Sequence, residues 1–200
     1  MKKNNTLRRI SALLLAVMMC VSMLPLSVFA AEEDSYTKIS TMDELTTGQY
    51  VMVASNGYAP GVLSNGWLTA VQPVVADDNV TDAQGAVWTL TVDGTTVKLT
   101  DANSVSIAPK SGNTNGIQSG DYSWAVACTD GMFTFSGQGN DTTILASNVR
   151  SENKFRAYKT TTVSKNPNGY PSTFTLYKLA EDSNDGEEET TAPPETTTPP

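Results

Sequence analysis

Three times along this chain an aromatic residue opens a short alternating run, and that recurrence constrains the fold more than any other feature. The first copy is Trp88-Thr89-Leu90-Thr91-Val92, then an Asp93-Gly94 turn and a second alternating run ending at Leu99. In the second, Trp124, Val126 and Cys128 take the places of Trp88, Leu90 and Val92, Asp130-Gly131 makes the turn, and Phe133 and Phe135 follow. The third copy is shorter: Phe174 and Leu176 occupy the same two places within residues 172–179. Alternation with period two around an Asp-Gly pair predicts β-hairpins, because the tight turn requires residues that tolerate positive φ. Three copies of one strand predict a three-fold β architecture.

Between these copies the chain consists of short apolar-alternating runs broken by Gly, Asn, Asp and Ser. Twelve strands are expected: 50–55, 59–64, 67–72 and 87–92 in a first repeat; 96–100, 104–109, 116–119 and 122–128 in a second; 132–136, 142–147, 154–159 and 172–178 in a third. Helical periodicity is almost absent, and only residues 41–46 suggest a helical turn. Trp124 follows Trp88 by 36 residues and Phe174 follows Trp124 by 50, so the third repeat carries extra loop, chiefly 160–171.

Four strands in each of three repeats, with an aromatic-led fourth strand, resemble the β-trefoil family over most of residues 50–179. The resemblance implies an all-β fold in which a six-stranded barrel is capped by three hairpins. A β-sandwich is the alternative, since it too is built from short strands and regular turns. The Gln-x-Trp signature of sugar-binding trefoils is not matched: the corresponding positions read Gly85-Ala86-Val87-Trp88 and Tyr122-Ser123-Trp124. The sugar contacts of those proteins are therefore not carried over.

The ends of the chain have a different character. Residues 1–30 carry Lys2, Lys3, Arg8 and Arg9, an apolar run from Ile10 to Val21, and a small-residue ending at Ala30. This is the pattern of a secretory signal, and it predicts a secreted or cell-surface protein with no membrane span in the mature chain. Residues 31–49 form a lead-in to the module at 50–179. Residues 180–200, rich in Thr, Pro and acids and without aromatic or large aliphatic side chains, predict a disordered, extended linker. A linker of this kind resembles those between modules of secreted hydrolases and surface proteins of Gram-positive anaerobes, so the chain reads as part of a longer modular protein, the alternative being a short natural tail.

Charge is informative only when divided. The chain holds 13 Lys and Arg against 21 Asp and Glu, a net charge of −8. Four of the bases lie within the first 30 residues and ten of the acids flank the module, which leaves nine basic and eleven acidic residues between 35 and 180. Acidic ends favour solvation and name no partner.

Chemistry is scarce. The chain has no histidine, which removes the commonest general base and zinc ligand. Once the signal is cleaved Cys128 is the sole thiol; alternating in phase with Trp124 and Val126, it is expected on the inward face as a small core residue, and no intrachain disulfide is possible. Asp77, Asp78 and Asp82 could in principle serve as a hydrolytic carboxylate pair or, with Asn79, as calcium ligands. Their turn-rich setting favours ordinary turn acids. No catalytic residue, metal site or cofactor is predicted.

Binding is the remaining class. Trp88, Trp124, Phe133, Phe135 and Phe174 fall on inward strand phases and read as core, whereas Tyr58, Trp67, Tyr122 and Tyr170 lie beside turns, where a flat ring can stack on a pyranose. A second set, Arg150, Lys154, Arg156, Lys159 and Lys165, can form a basic face toward phosphate, sulfated glycan or nucleic acid. The closing motif, residues 154–159 with 170–178, resembles the end of non-catalytic modules in large secreted nucleases and phosphoesterases of gut Firmicutes. That resemblance implies the leading accessory module of an extracellular enzyme. The expected function is to hold that enzyme near an extracellular polysaccharide or polyanion, as a monomer; the alternative is a structural spacer or adhesion module without a small ligand.

Overall fold

The computed structural model describes residues 35–111 and 114–180. The expected signal at 1–30 and the linker beyond residue 180 lie outside the described residues.

Among the described residues, alternation and turn chemistry produce fifteen strands. In chain order they are β1 (Tyr36–Ile39), β2 (Gly48–Ala54), β3 (Ala59–Ser64), β4 (Trp67–Val71), β5 (Val74–Ala76), β6 (Asn79–Asp82), β7 (Val87–Asp93), β8 (Thr96–Thr100), β9 (Ile107–Pro109) and β10 (Ile117–Ser119). They continue as β11 (Ser123–Thr129), β12 (Met132–Ser136), β13 (Thr143–Ser147), β14 (Phe155–Lys159) and β15 (Phe174–Leu179), with a single short helix α1 (Thr160–Lys165) between the last two.

Six of them close on themselves. Antiparallel pairing runs β2 to β7, β7 to β8, β8 to β11 and β11 to β12, and then β12 meets β15 at Phe133↔Phe174 while β15 returns to β2. The hairpins β3–β4, β9–β10 and β13–β14 complete the three repeats. This is a β-trefoil barrel with its three hairpins, and all twelve strands expected from the sequence are present within a few residues of their predicted bounds. A single closed barrel excludes the two packed sheets of a sandwich.

The repeated aromatic strand fills the barrel. Trp88, Leu90, Trp124, Val126, Phe133, Phe135, Phe174 and Leu176 belong to one buried cluster. Each tryptophan also serves its own repeat, because a buried indole N–H needs an acceptor. Trp88 donates to the Pro60 carbonyl of β3 at 2.7 Å, and Trp124 to the Ile107 carbonyl of β9 at 3.1 Å. Between repeats, the buried Asp101 side chain accepts from the backbone N–H groups of Leu63, Asn103 and Val105 at 2.9–3.0 Å, tying the β8–β9 loop to β3.

Several local expectations are corrected. The β7–β8 register pairs Asp93 with Thr96, so the two-residue loop is Gly94-Thr95 and only Gly94 takes positive φ, at 59°. The β11–β12 loop is Asp130-Gly131 as expected, with both residues at positive φ. Residues 41–46 form a turn without a helix, its backbone N–H groups at Ser40 and Thr41 captured by the Glu44 carboxylate. Cys128 is half-buried instead of enclosed, its thiol facing the Ser40 carbonyl at 3.4 Å.

Three strands decorate the trefoil. β1 lies along β15, and the hairpin β5–β6 continues outward from β1. They cover a second apolar cluster of Tyr36, Val51, Val53, Ala59, Val80, Ala86 and Tyr177. That explains why residues 50–54 are buried on both faces: Tyr50, Met52 and Ala54 point into the barrel and Val51 and Val53 under the added layer. Asp77 and Asp78 form the β5–β6 turn, where Asp78 pairs with Lys38, and Asp82 accepts from Gln84. Among the described residues no group of acids is arranged to hold a metal ion.

Candidate functional site

Where the three hairpins meet, a cleft of about 580 Å³ opens to solvent. The first hairpin contributes Leu63, Asn65, Gly66 and Trp67, the second Lys110 and residues 115–119, and the third Arg156. Its size falls within the ~300–1,000 Å³ of small-ligand sites. Local structure holds the walls together. The β3–β4 turn carries Asn65 and Gly66 at positive φ, and β4 then presents Trp67 at its first position. Gly116 donates its N–H to the Ala157 carbonyl at 2.9 Å, and the Asn115 side-chain oxygen accepts from the Lys159 N–H at 3.0 Å, fixing the second wall to β14.

The chemical centre is a stack. On β14 Phe155 and Ala157 point into the barrel while Arg156 and Tyr158 take the other side, as the alternation predicts, and Lys154 directly precedes the strand. The Arg156 guanidinium sits 3.9 Å from the Trp67 ring centroid and 4.9 Å from that of Tyr158. Tyr158 in turn packs on Tyr170 at 4.7 Å, and its hydroxyl accepts a hydrogen bond from the Asn148 side-chain amide N–H at 2.9 Å. Burial pushes the Tyr158 hydroxyl above the ordinary tyrosine range, an effect that Asn148 and Arg156 partly offset. From outside, α1 closes this group: Val163 is buried against Ala146 and Tyr158, with Trp67 and Tyr170 packed on the same cluster.

Two sequence-level lists thus converge on one place. Trp67 and Tyr170 from the aromatic set, and Lys154 and Arg156 from the basic set, belong to this corner of the molecule. Trp67 is not an open platform, since Arg156 covers one side of its ring. A smaller recess of about 220 Å³, lined by Ser64, Asn65, Trp67, Thr69 and Lys154, also borders the indole. Lys154 is half-exposed there and pairs with Glu152 at 2.7 Å.

The other predicted residues lie elsewhere. Tyr58 is half-buried against the barrel core. Tyr122 packs edge-on against Trp124, its hydroxyl accepting from the Gln138 N–H at 2.7 Å and contacting Asp141 at 3.3 Å, and burial raises its pKa. Arg150 is exposed in the β13–β14 loop, Lys159 is exposed at the end of β14, and Lys165 is exposed in the last turn of α1. The five basic residues therefore do not form one face with Trp67; only Lys154 and Arg156 reach it. Sequence reasoning missed Lys110, Asn115 and Gln118. Only Asn115 falls in a run that the sequence marks as a turn, and the nearness of all three to Trp67 depends on pairing between repeats.

No protein-family model matches this chain, and no curated protein does. Solved structures do. A lectin of Polyporus squamosus, crystallised with the human-type influenza-binding epitope Neu5Aca2-6Galb1-4GlcNAc, superposes with a TM-score of 0.50 at 10% identity, over 68% of this chain and 51% of the lectin. This chain therefore matches about half the length of that lectin. A mosquitocidal holotoxin gives a TM-score of 0.48 at 17% identity, over 66% of this chain and 16% of the toxin. The first likeness agrees with the strand pairing and concerns the fold alone: this chain is a β-trefoil.

Proposed function

We propose that this chain is a secreted, non-catalytic accessory module that binds glycan in the cleft where the three hairpins meet, with residues 180–200 as a linker to a partner domain. The observation that carries the reading is the half-exposed Trp67 indole at the edge of a cleft lined also by the amide residues Asn65 of the same hairpin and Asn115 and Gln118 of the second. An aromatic ring contributes apolar contact to a pyranose, and amides supply both donors and acceptors for its hydroxyls. Among the described residues no Asp or Glu lines the cleft, which favours binding over a carboxylate-pair hydrolysis there. The signal-like segment and the Thr/Pro-rich tail support placement outside the cell within a modular protein of the Gram-positive type.

The test is retention of the chain on insoluble and soluble polysaccharides beside the Trp67→Ala variant. Binding that weakens about thirtyfold or more in Trp67→Ala, with an unchanged circular dichroism spectrum, supports glycan recognition at this cleft. Absence of retention on every polysaccharide by a folded protein replaces the reading with that of a structural spacer or adhesion module.

A further inference from the structure

Nine basic residues lie between positions 35 and 180, and three of them, Lys38, Lys98 and Lys154, form surface ion pairs. Two of the others, Lys110 and Arg156, line the cleft. Among the described residues neither Lys110 nor Arg156 has a carboxylate partner, and the cleft wall contains no acid. The Arg156 Nε is buried and lacks a hydrogen-bond acceptor. A buried N–H without an acceptor is uncommon, because its desolvation is then uncompensated, although another part of the same side chain hydrogen-bonds Tyr158. Its guanidinium is nevertheless held in place between Trp67 and Tyr158, so its orientation is set before any ligand arrives.

We infer that the cleft takes a saccharide bearing an anionic group, a carboxylate or a sulfate, with Arg156 and Lys110 as the residues that recognise the charge. This rests on the glycan-binding reading and adds the ligand's chemical class. The planar guanidinium offers N–H donors to a two-oxygen acceptor, and Lys110 supplies a second positive charge from the second hairpin. Trp67 and the neighbouring amides of Asn115 and Gln118 then engage the sugar ring that carries the group. A nucleic acid fits less well. It requires a continuous basic track, whereas the segment as a whole holds more acids than bases.

Equilibrium binding of the full chain to matched pairs tests this: polygalacturonate against its methyl ester, and dextran sulfate against dextran, with poly(dT) as the nucleic acid. The expected result is at least about tenfold tighter binding to the charged member of one pair, the preferred pair telling carboxylate from sulfate. That preference falls about tenfold in Arg156→Gln and also in Lys110→Gln, whose exposed position makes loss of folding an inadequate explanation. Equal binding of neutral and charged partners overturns the inference and leaves the glycan reading standing. Stronger binding to poly(dT) than to either charged glycan overturns it as well, and retention of none of the glycans removes both readings.

Discussion

Single side chains in this molecule are placed by what their polar atoms must reach. Trp88 and Trp124 are both fully buried, and each indole N–H finds the carbonyl of the second strand in its own repeat. At the matching position of the third repeat Phe174 has no donor, so this device was dropped there without leaving an unpaired group on the side chain. Replacing Trp88 with Phe keeps the ring but leaves the Pro60 carbonyl without its partner and removes part of the packing. We expect Trp88→Phe to lower unfolding free energy by about 2–3 kcal/mol in urea denaturation, with the slope of the transition unchanged. The burial of both tryptophans was legible in the sequence from their phase in the strand. Their acceptors were not, because Pro60 and Ile107 lie 28 and 17 residues away.

Elements show how insertions into a repeated plan create difference. The third repeat carries α1 in the loop that the sequence marks only as surplus length. The helix has one buried residue, Val163, against Ala146 and Tyr158. A six-residue helix is unstable by itself, so this contact holds it in place. Truncating Val163 to Ala removes two methyl groups, worth about 1.5 kcal/mol at ~0.8 kcal/mol each. The prediction is about tenfold faster amide exchange in 160–165, while the barrel strands keep their protection. Should exchange rise equally throughout the barrel, α1 would be part of the global fold and not a local buttress of the Trp67 corner. The outer layer of β1, β5 and β6 is a second such addition, and it uses apolar residues of β2 and β15 that a bare trefoil would expose.

For the whole molecule the titration behaviour follows from where tyrosines sit. Tyr122, Tyr158 and Tyr177 have raised pKa values, in each case chiefly because burial disfavours the phenolate. A group whose folded pKa is raised binds its proton more tightly in the native state. The associated stability is present below the unfolded value of about 10 and is lost as pH rises through the higher folded values. With no histidine in the chain, no such loss is expected from that residue type near neutrality. Thermal melts should show stability falling progressively above pH ~10, and absorbance titration should show a tyrosine fraction that ionises only above the ordinary range or on unfolding. Simultaneous titration of every tyrosine at its ordinary value would contradict the burial described.

What this sequence determined by itself is whatever depends on near neighbours. Period-two alternation set strand bounds and inward faces, Asp130-Gly131 set a hairpin, and repetition of the aromatic-led strand implied three-fold organisation. Closure of the barrel through Phe133↔Phe174, the outer layer on β2 and β15, and the meeting of Trp67, Lys110 and Arg156 were decided only in the tertiary structure. The reason is physical: each of those three side chains comes from a different hairpin. Alternation reports which face of a strand a residue occupies and carries no information on which other strand will lie beside it.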